Sequence, residues 1–249
     1  MKELTAEGVE TFFRTFYVPN NAVLVVVGNF KPAEALGLVE KNFRPLRRRA
    51  VPRLDAGGTP RLGRERSRVI ADERTGAASY MSAYLTVPSD HADWYALNIL
   101  ADIIGQGEES RLHKALVAKK LATSVPEGMS ETRGRSLLRV GAALAPDVHY
   151  ETAEAVIDSE FEKLRKEGVT GAEVERARSQ ERQYAAEQLG TPLGRASFLS
   201  RNTLYYDDPN RINTELGRLL AVTAEDVRRV ARKYLLKTNR VVVVARPAR

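Results

Sequence analysis

Cysteine is absent from the 249 residues, which excludes disulfides and a thiol nucleophile, and allows a reducing compartment without requiring one. No apolar run approaches the roughly 18 residues that a membrane-spanning helix needs, and Met1-Lys2-Glu3-Leu4 leads into no apolar signal core. A leader for export would belong to sequence before Met1, so the composition predicts a soluble protein and leaves cytoplasm and periplasm both open. Histidine is scarce. His91, His113 and His149 lie far apart, and none has a second His three or four positions away on one helical face, so no zinc site built from this chain alone is predicted. Ser110 has no histidine base in a recognisable order, and no pair of carboxylates stands out as acid and base.

Phosphate binding is also poorly supported. Gly105-Gln106-Gly107 follows a helical pattern instead of a strand and lacks both the Gly-Lys-Ser/Thr element and the Gly-x-Gly-x-x-Gly spacing, so it reads as a helix-to-helix turn. The formal charge of +7, from 39 Lys and Arg against 32 Asp and Glu, gathers in Arg44 to Arg53 and Arg61 to Arg68. No aromatic side chain on which a base could stack lies between Phe43 and Tyr80, so a solvated linker is predicted there and no nucleic-acid partner.

What the sequence does contain is one internal repeat. The 218 positions that separate Thr5-Ala6-Glu7 from Thr223-Ala224-Glu225 also separate Val9 from Val227, Asn21 from Asn239, Val23 from Val241 and Val25-Val26 from Val243-Val244. Each copy reads as a helix followed by a strand. A strand such as Ala22 to Gly28 cannot stand alone, so the repeat predicts two large tandem domains, the second complete and the first represented only by its end.

Along the chain, Thr5 is a candidate N-cap for a helix through about Tyr17 with Val9, Phe12, Phe13 and Phe16 on its apolar face, stopped at Pro19-Asn20-Asn21. Ala22 to Gly28 reads as a continuous apolar strand central in a sheet, and Pro32 to Asn42 as a helix. Residues 1–45 therefore form a remnant too small for its own core and are expected to rely on a partner surface. Residues 46–66, rich in Arg, Pro and Gly, read as the linker, and residues 67–249 as the complete domain.

Within that domain, Arg68 to Asp72 and Ser79 to Val87 are predicted strands. Trp94, Leu97, Leu100, Ile103 and Ile104 predict one apolar face of a helix. A helix over about Glu109 to Lys119 follows, then strands over Thr123 to Ser130 and Ser136 to Leu144, with Pro126 and Gly128 placing the first at an edge or bulge. Val156, Ile157, Phe161 and Leu164 line a helix ending at Gly168, and Thr170 with Glu173 forms a capping box for the next. Helices continue through Tyr205, over Asn210 to Leu220 and Thr223 to Leu235, and Val241 to Ala245 is the last strand. The fold class is α+β, a mixed, mainly antiparallel sheet with helices packed on one side.

Val18-Pro19-Asn20-Asn21-Ala22-Val23-Leu24-Val25-Val26-Val27-Gly28, with Phe43-Arg44-Pro45-Leu46 behind it, resembles the end of the first domain of the zinc metallopeptidases related to pitrilysin, insulysin and the mitochondrial processing peptidase. Ile104-Gly105-Gln106-Gly107-Glu108-Glu109-Ser110-Arg111-Leu112, Leu121-Ala122-Thr123-Ser124-Val125 and Gly168-Val169-Thr170-Gly171-Ala172-Glu173 are similar to segments of the family's second domain. The resemblance implies a metallopeptidase-like tandem domain. Its zinc ligands, a His-x-x-Glu-His motif and a distant Glu, would lie in the first domain, so zinc belongs to the complete enzyme and no cofactor to this chain.

The resemblance also implies that this half walls a chamber for a peptide or unfolded polypeptide, opposite the missing N-terminal domain or a homologous subunit. Active forms hold substrate with an Arg followed shortly by a Tyr near this strand; here Val117 and Thr123 occupy those neighbourhoods. Arg111, Lys119, Lys120 and Thr123 are the candidate substrate-binding residues, and no catalytic or metal-binding residue is expected. A non-catalytic structural subunit of a heterodimeric peptidase, and an unrelated protein-binding module, are the alternatives.

Overall fold

A computed structural model describes residues 5–52, 62–73, 75–132 and 134–248. The elements are α1 (Ala6–Phe16), α2 (Pro32–Phe43), β1 (Arg66–Asp72), β2 (Ser79–Leu85), α3 (Asp93–Gly105), β3 (Ala122–Ser124), β4 (Glu127–Met129), β5 (Leu137–Leu144), α4 (Tyr150–Lys166), α5 (Gly171–Leu189), α6 (Pro192–Tyr206), α7 (Arg211–Leu220), α8 (Ala224–Tyr234) and β6 (Arg240–Pro247). They fall into two compact units: one takes in the first 57 residues together with Ala186–Asn213, the other Gly58–Ala185 together with Thr214–Arg249. Much of the predicted linker, residues 53–61, lies outside the described residues.

In the larger unit six strands form a mixed sheet in the order β1-β6-β2-β5-β3, with β4 also on β5. β6 runs parallel to β1 and antiparallel to β2; the other pairings are antiparallel. Alternation sets the two faces. Tyr80, Ser82 and Tyr84 of β2, Leu138, Val140 and Ala142 of β5 and Val242 and Val244 of β6 are buried, while the intervening residues face the other way. α4 brings Ala153, Ile157, Phe161 and Leu164 to the buried face at spacings of three and four, and the Phe161 ring meets Tyr84 edge-on at 5.7 Å.

α3 differs from the expectation of one apolar face. Trp94, Tyr95, Ala96, Leu97, Ile99, Leu100, Ala101, Ile103 and Ile104 are all buried. A helix buried over most of its surface is an interior helix, and α3 is covered by α8 and β4 as well as by β5. The helix starts follow the predicted chemistry. Thr5 Oγ1 accepts from Gly8 N as expected, and Thr223, not singled out as a cap in the sequence, forms a capping box with Asp226. Thr170 N donates to Glu173 Oε2 at 2.8 Å while Glu173 N donates to Thr170 Oγ1 at 3.2 Å.

Three expectations fail. Ala22 to Gly28 is not a strand: Ala22 is extended, but no pairing forms along the segment among the described residues, and Val23, Leu24 and Val26 are exposed. A strand is defined by its neighbours, and its repeat counterpart β6 is a strand because β1 and β2 flank it. The helix over Glu109 to Lys119 starts only at Arg111 and opens into a π-helical turn, His113–Val117, in which Ala118 N reaches His113 O at 2.9 Å. The strand over Thr123 to Ser130 splits into β3 and β4, because the register against β5 shifts between Ala122 and Ser124 and Pro126 has no N–H to give.

In the smaller unit α1 and α2 bury no residue among those described. Phe12, Phe13 and Tyr17 stay more than half exposed, with the Phe13 and Tyr17 rings stacked at 4.5 Å. Gly194 of α6 has no room for a side chain, since a Cβ there would lie 1.9 Å from Gln188 O.

Candidate functional site

The corner from α3 to β3 carries the sequence-predicted residues. Its glycines serve different ends. At Gly105 a Cβ would fall 2.3 Å from Glu127 Cγ, so the bare backbone lets α3 end against β4; Gly107 takes φ +76°, where a side chain is strained. Ser110 closes the turn, its hydroxyl donating to Gly107 O at 2.7 Å.

Arg111 points back into the protein. Its Nε donates to Glu173 Oε1 at 2.6 Å, and its Nη2 donates to Glu173 Oε2 and Gly168 O, both at 3.0 Å. This bidentate clamp ties the glycine turn to the α4–α5 loop. Burial pushes the Glu173 carboxyl up, but the hydrogen bonds from Arg111 and Thr170 outweigh it and hold the group below the usual range. Lys119 and Lys120 are exposed and make no ion pair among the described residues. Lys120 takes φ +60°, which turns the chain from the π-helical turn into β3. Thr123, exposed at the bulge, donates to Ala143 O at 3.2 Å. Lys119, Lys120 and Thr123 thus share one solvent-facing corner at the sheet edge, with Arg111 anchored behind them.

Beneath this corner, Asp102 lies among carboxylates. Burial, with the charges of Glu181 and Glu127, pushes its carboxyl up to about 9, and Arg176 only partly opposes this. The sign follows. Asp102 is ionised above about pH 4 in the unfolded chain but stays protonated in the fold, so its contribution is full below that pH and is lost as pH rises toward about 9. Asp102→Asn is expected to stabilise the protein by about 2 kcal/mol at pH 8 and to change nothing at pH 4. Urea unfolding at both pH values is the check; an equal effect at both would remove the titration as its cause.

The rest of the site is the sheet face opposite the one on which α4 packs. Register places Arg66, Arg68, Ile70 and Asp72 of β1, Val241 and Val243 of β6, Met81, Ala83 and Leu85 of β2, and Leu137, Arg139 and Gly141 of β5 on it. Sequence reasoning missed this face. The alternation in Leu138-Arg139-Val140 hinted at an outward Arg139, but grouping it with Arg66 and Arg68 needs the strand order.

The histidines do not assemble. His91 Nδ1 accepts from Asp93 N at 3.0 Å, His149 stands at the N-cap of α4 and His113 sits in the π-helical turn. Among the described residues no three His, Cys, Asp or Glu side chains group as metal ligands. These donors do not fit a zinc centre.

The fold is thus a mixed sheet with helices packed on its buried face and an exposed corner at the β3 edge. The peptidase M16 inactive domain matches residues 3–181, and the chain belongs to that family. It is 24% identical over 247 residues to the zinc protease PqqE of Helicobacter pylori, covering 98% of this chain and 55% of the relative. Among solved structures it is similar to a protease from Helicobacter pylori (TM-score 0.92, 23% identity, 99% of this chain and 60% of that one). It is also similar to a peptidase M16 inactive domain from Pseudomonas fluorescens (TM-score 0.82, 19% identity, 100% and 58%). The chain spans about half the length of the relatives it matches.

Proposed function

We propose that this chain supplies one wall of a substrate chamber in a zinc-dependent endopeptidase, and none of the hydrolytic chemistry. The observation that carries the proposal is the sheet face turned away from α4, with its exposed Arg66, Arg68 and Arg139, in a domain of the M16 inactive family. An extended peptide or unfolded polypeptide is the substrate class. Zinc and the general base that activates water belong to the partner half, a preceding domain or a homologous subunit.

The corner at β3 is where an extended chain would add. β3 pairs with β5 on one side only, so its other edge offers backbone donors and acceptors. Lys119, Lys120 and Thr123 flank that edge, and Arg111 fixes the turn leading to it. With an unfolded polypeptide added, amide exchange is expected to slow across Leu121 to Pro126. Protection that appears elsewhere while this segment exchanges as before would count against the edge as the contact.

A second reading, that the chain is the non-catalytic subunit of a two-chain peptidase, draws on the exposed apolar residues of α1 and of the unpaired Val23, Leu24 and Val26. Both readings require a covering partner. They separate on the upstream reading frame: a His-x-x-Glu-His motif there favours a single two-domain peptidase, and a complete first domain lacking it favours the subunit.

A further inference from the structure

The strand register puts the charges of the open face into an order that the sequence conceals. One row across the sheet reads Arg66, Val241, Ala83, Arg139, and the next reads Arg68, Val243, Met81, Gly141. With strands about 4.8 Å apart, Arg66 and Arg139 stand roughly 14 Å from each other across a floor of small and apolar side chains. Arg66 and Arg68, two residues apart on β1, are separated along the strand by about 6.8 Å. All three arginines are exposed, and none forms an ion pair among the described residues. The register places one acid on this face, Asp72, at the far end of β1.

The floor is apolar and partly open. Val243 is 39% exposed, and Met81 lies over Gly141, where a Cβ would come within 2.8 Å of Met81 Cε. It contains no aromatic ring, so it offers nothing on which a nucleic-acid base could stack. An extended polypeptide fits better. Its side chains on one face also recur every two residues, so carboxylates at positions i and i+2 match the Arg66–Arg68 spacing, while apolar residues between them meet the floor.

We propose that this face binds extended acidic polypeptides, with Arg66, Arg68 and Arg139 selecting substrates that carry Asp or Glu at alternate positions. The proposal rests on the chamber-wall reading and adds to it a substrate class and the residues that set it.

The test uses the 249-residue chain and two fluorescent peptides with the same apolar frame, one with Glu and one with Lys at alternate positions, followed by anisotropy at low and high salt. The Glu peptide is expected to bind about tenfold more tightly than the Lys peptide at low salt, with the margin shrinking as salt rises. The triple variant R66Q/R68Q/R139Q should abolish the preference and keep the residual affinity of the apolar frame. Because the three side chains are exposed, its circular dichroism and melting should match those of the unsubstituted chain.

Equal binding of the two peptides would overturn the acid preference and leave the chamber wall standing, as would a preference that survives in the triple variant. A single-stranded oligonucleotide that displaces the Glu peptide with the same arginine dependence would replace the polypeptide ligand with a nucleic acid. Binding of neither peptide would overturn the proposal and the chamber wall together.

Discussion

Arg240→Met is expected to destabilise the larger unit by about 3–5 kcal/mol, lowering its melting temperature on the order of 10 °C. Arg240 is 1% exposed, at the start of β6. Its Nε donates to Glu65 Oε2 at 2.7 Å, its Nη2 to Glu154 Oε1 at 3.1 Å and its Nη1 to Asp158, and Tyr84 lies close beside it. Met fills most of the volume but leaves three half-buried carboxylates facing one another. Lys237, 2.7 Å from Asp158 Oδ2, compensates only one of them. The loss is therefore electrostatic and should shrink in acid as Glu154, whose carboxyl burial pushes up, takes a proton. Melting curves at pH 7 and near pH 4 are the measurement. A penalty of the same size at both would mean that packing, not charge, sets the cost.

The second large effect is expected at Asp93, the first residue of α3, which is 3% exposed. Its carboxylate accepts from Arg229 Nη1 at 2.5 Å, Tyr234 Oη at 2.7 Å and Lys233 Nζ at 2.9 Å. Burial pushes the carboxyl up, yet the three hydrogen bonds outweigh burial and hold it well below the usual range. A depressed carboxylate stabilises the fold above its unfolded value, about 4, and that contribution is lost as pH falls. Arg229 and Lys233 are about half exposed, so solvent screens their share and the Tyr234 bond carries much of the rest. Asp93→Ala should cost about 2–3 kcal/mol at neutral pH, chiefly by leaving the buried Tyr234 hydroxyl unpaired and α3 loosened from α8. Chemical unfolding should show Asp93→Asn losing less, and the gap between wild type and variant narrowing below about pH 4. A gap that widens in acid would reverse the assigned sign.

Local chemistry made much of this molecule legible. Thr5 and the Thr170–Glu173 pair cap the helices their spacing predicts, because a cap is decided within four residues. What escaped depends on partners distant in sequence. Ala22 to Gly28 has the composition of a buried strand, and composition does not supply the neighbours that would pair it. The π-helical turn at His113–Val117, between the Arg111 clamp and β3, has no breaker residue to announce it. Arg66, Arg68 and Arg139 were read as linker and strand charges, and only the order β1-β6-β2-β5 gathers them on one face.

That strand order also bears on how the protein is made. β1 and β2 follow each other in sequence, yet β6, the last element, lies between them. During synthesis β1 and β2 emerge with a gap that only β6 fills, so the sheet stays open until β6 has been made. The nascent chain then holds apolar strand edges in waiting, a state in which chaperone binding or mispairing competes with closure. Cleavage just before Arg240 would cut β1 adrift from β2 and remove the cation that Glu65, Glu154 and Asp158 share, so one break ahead of β6 would act on the whole sheet.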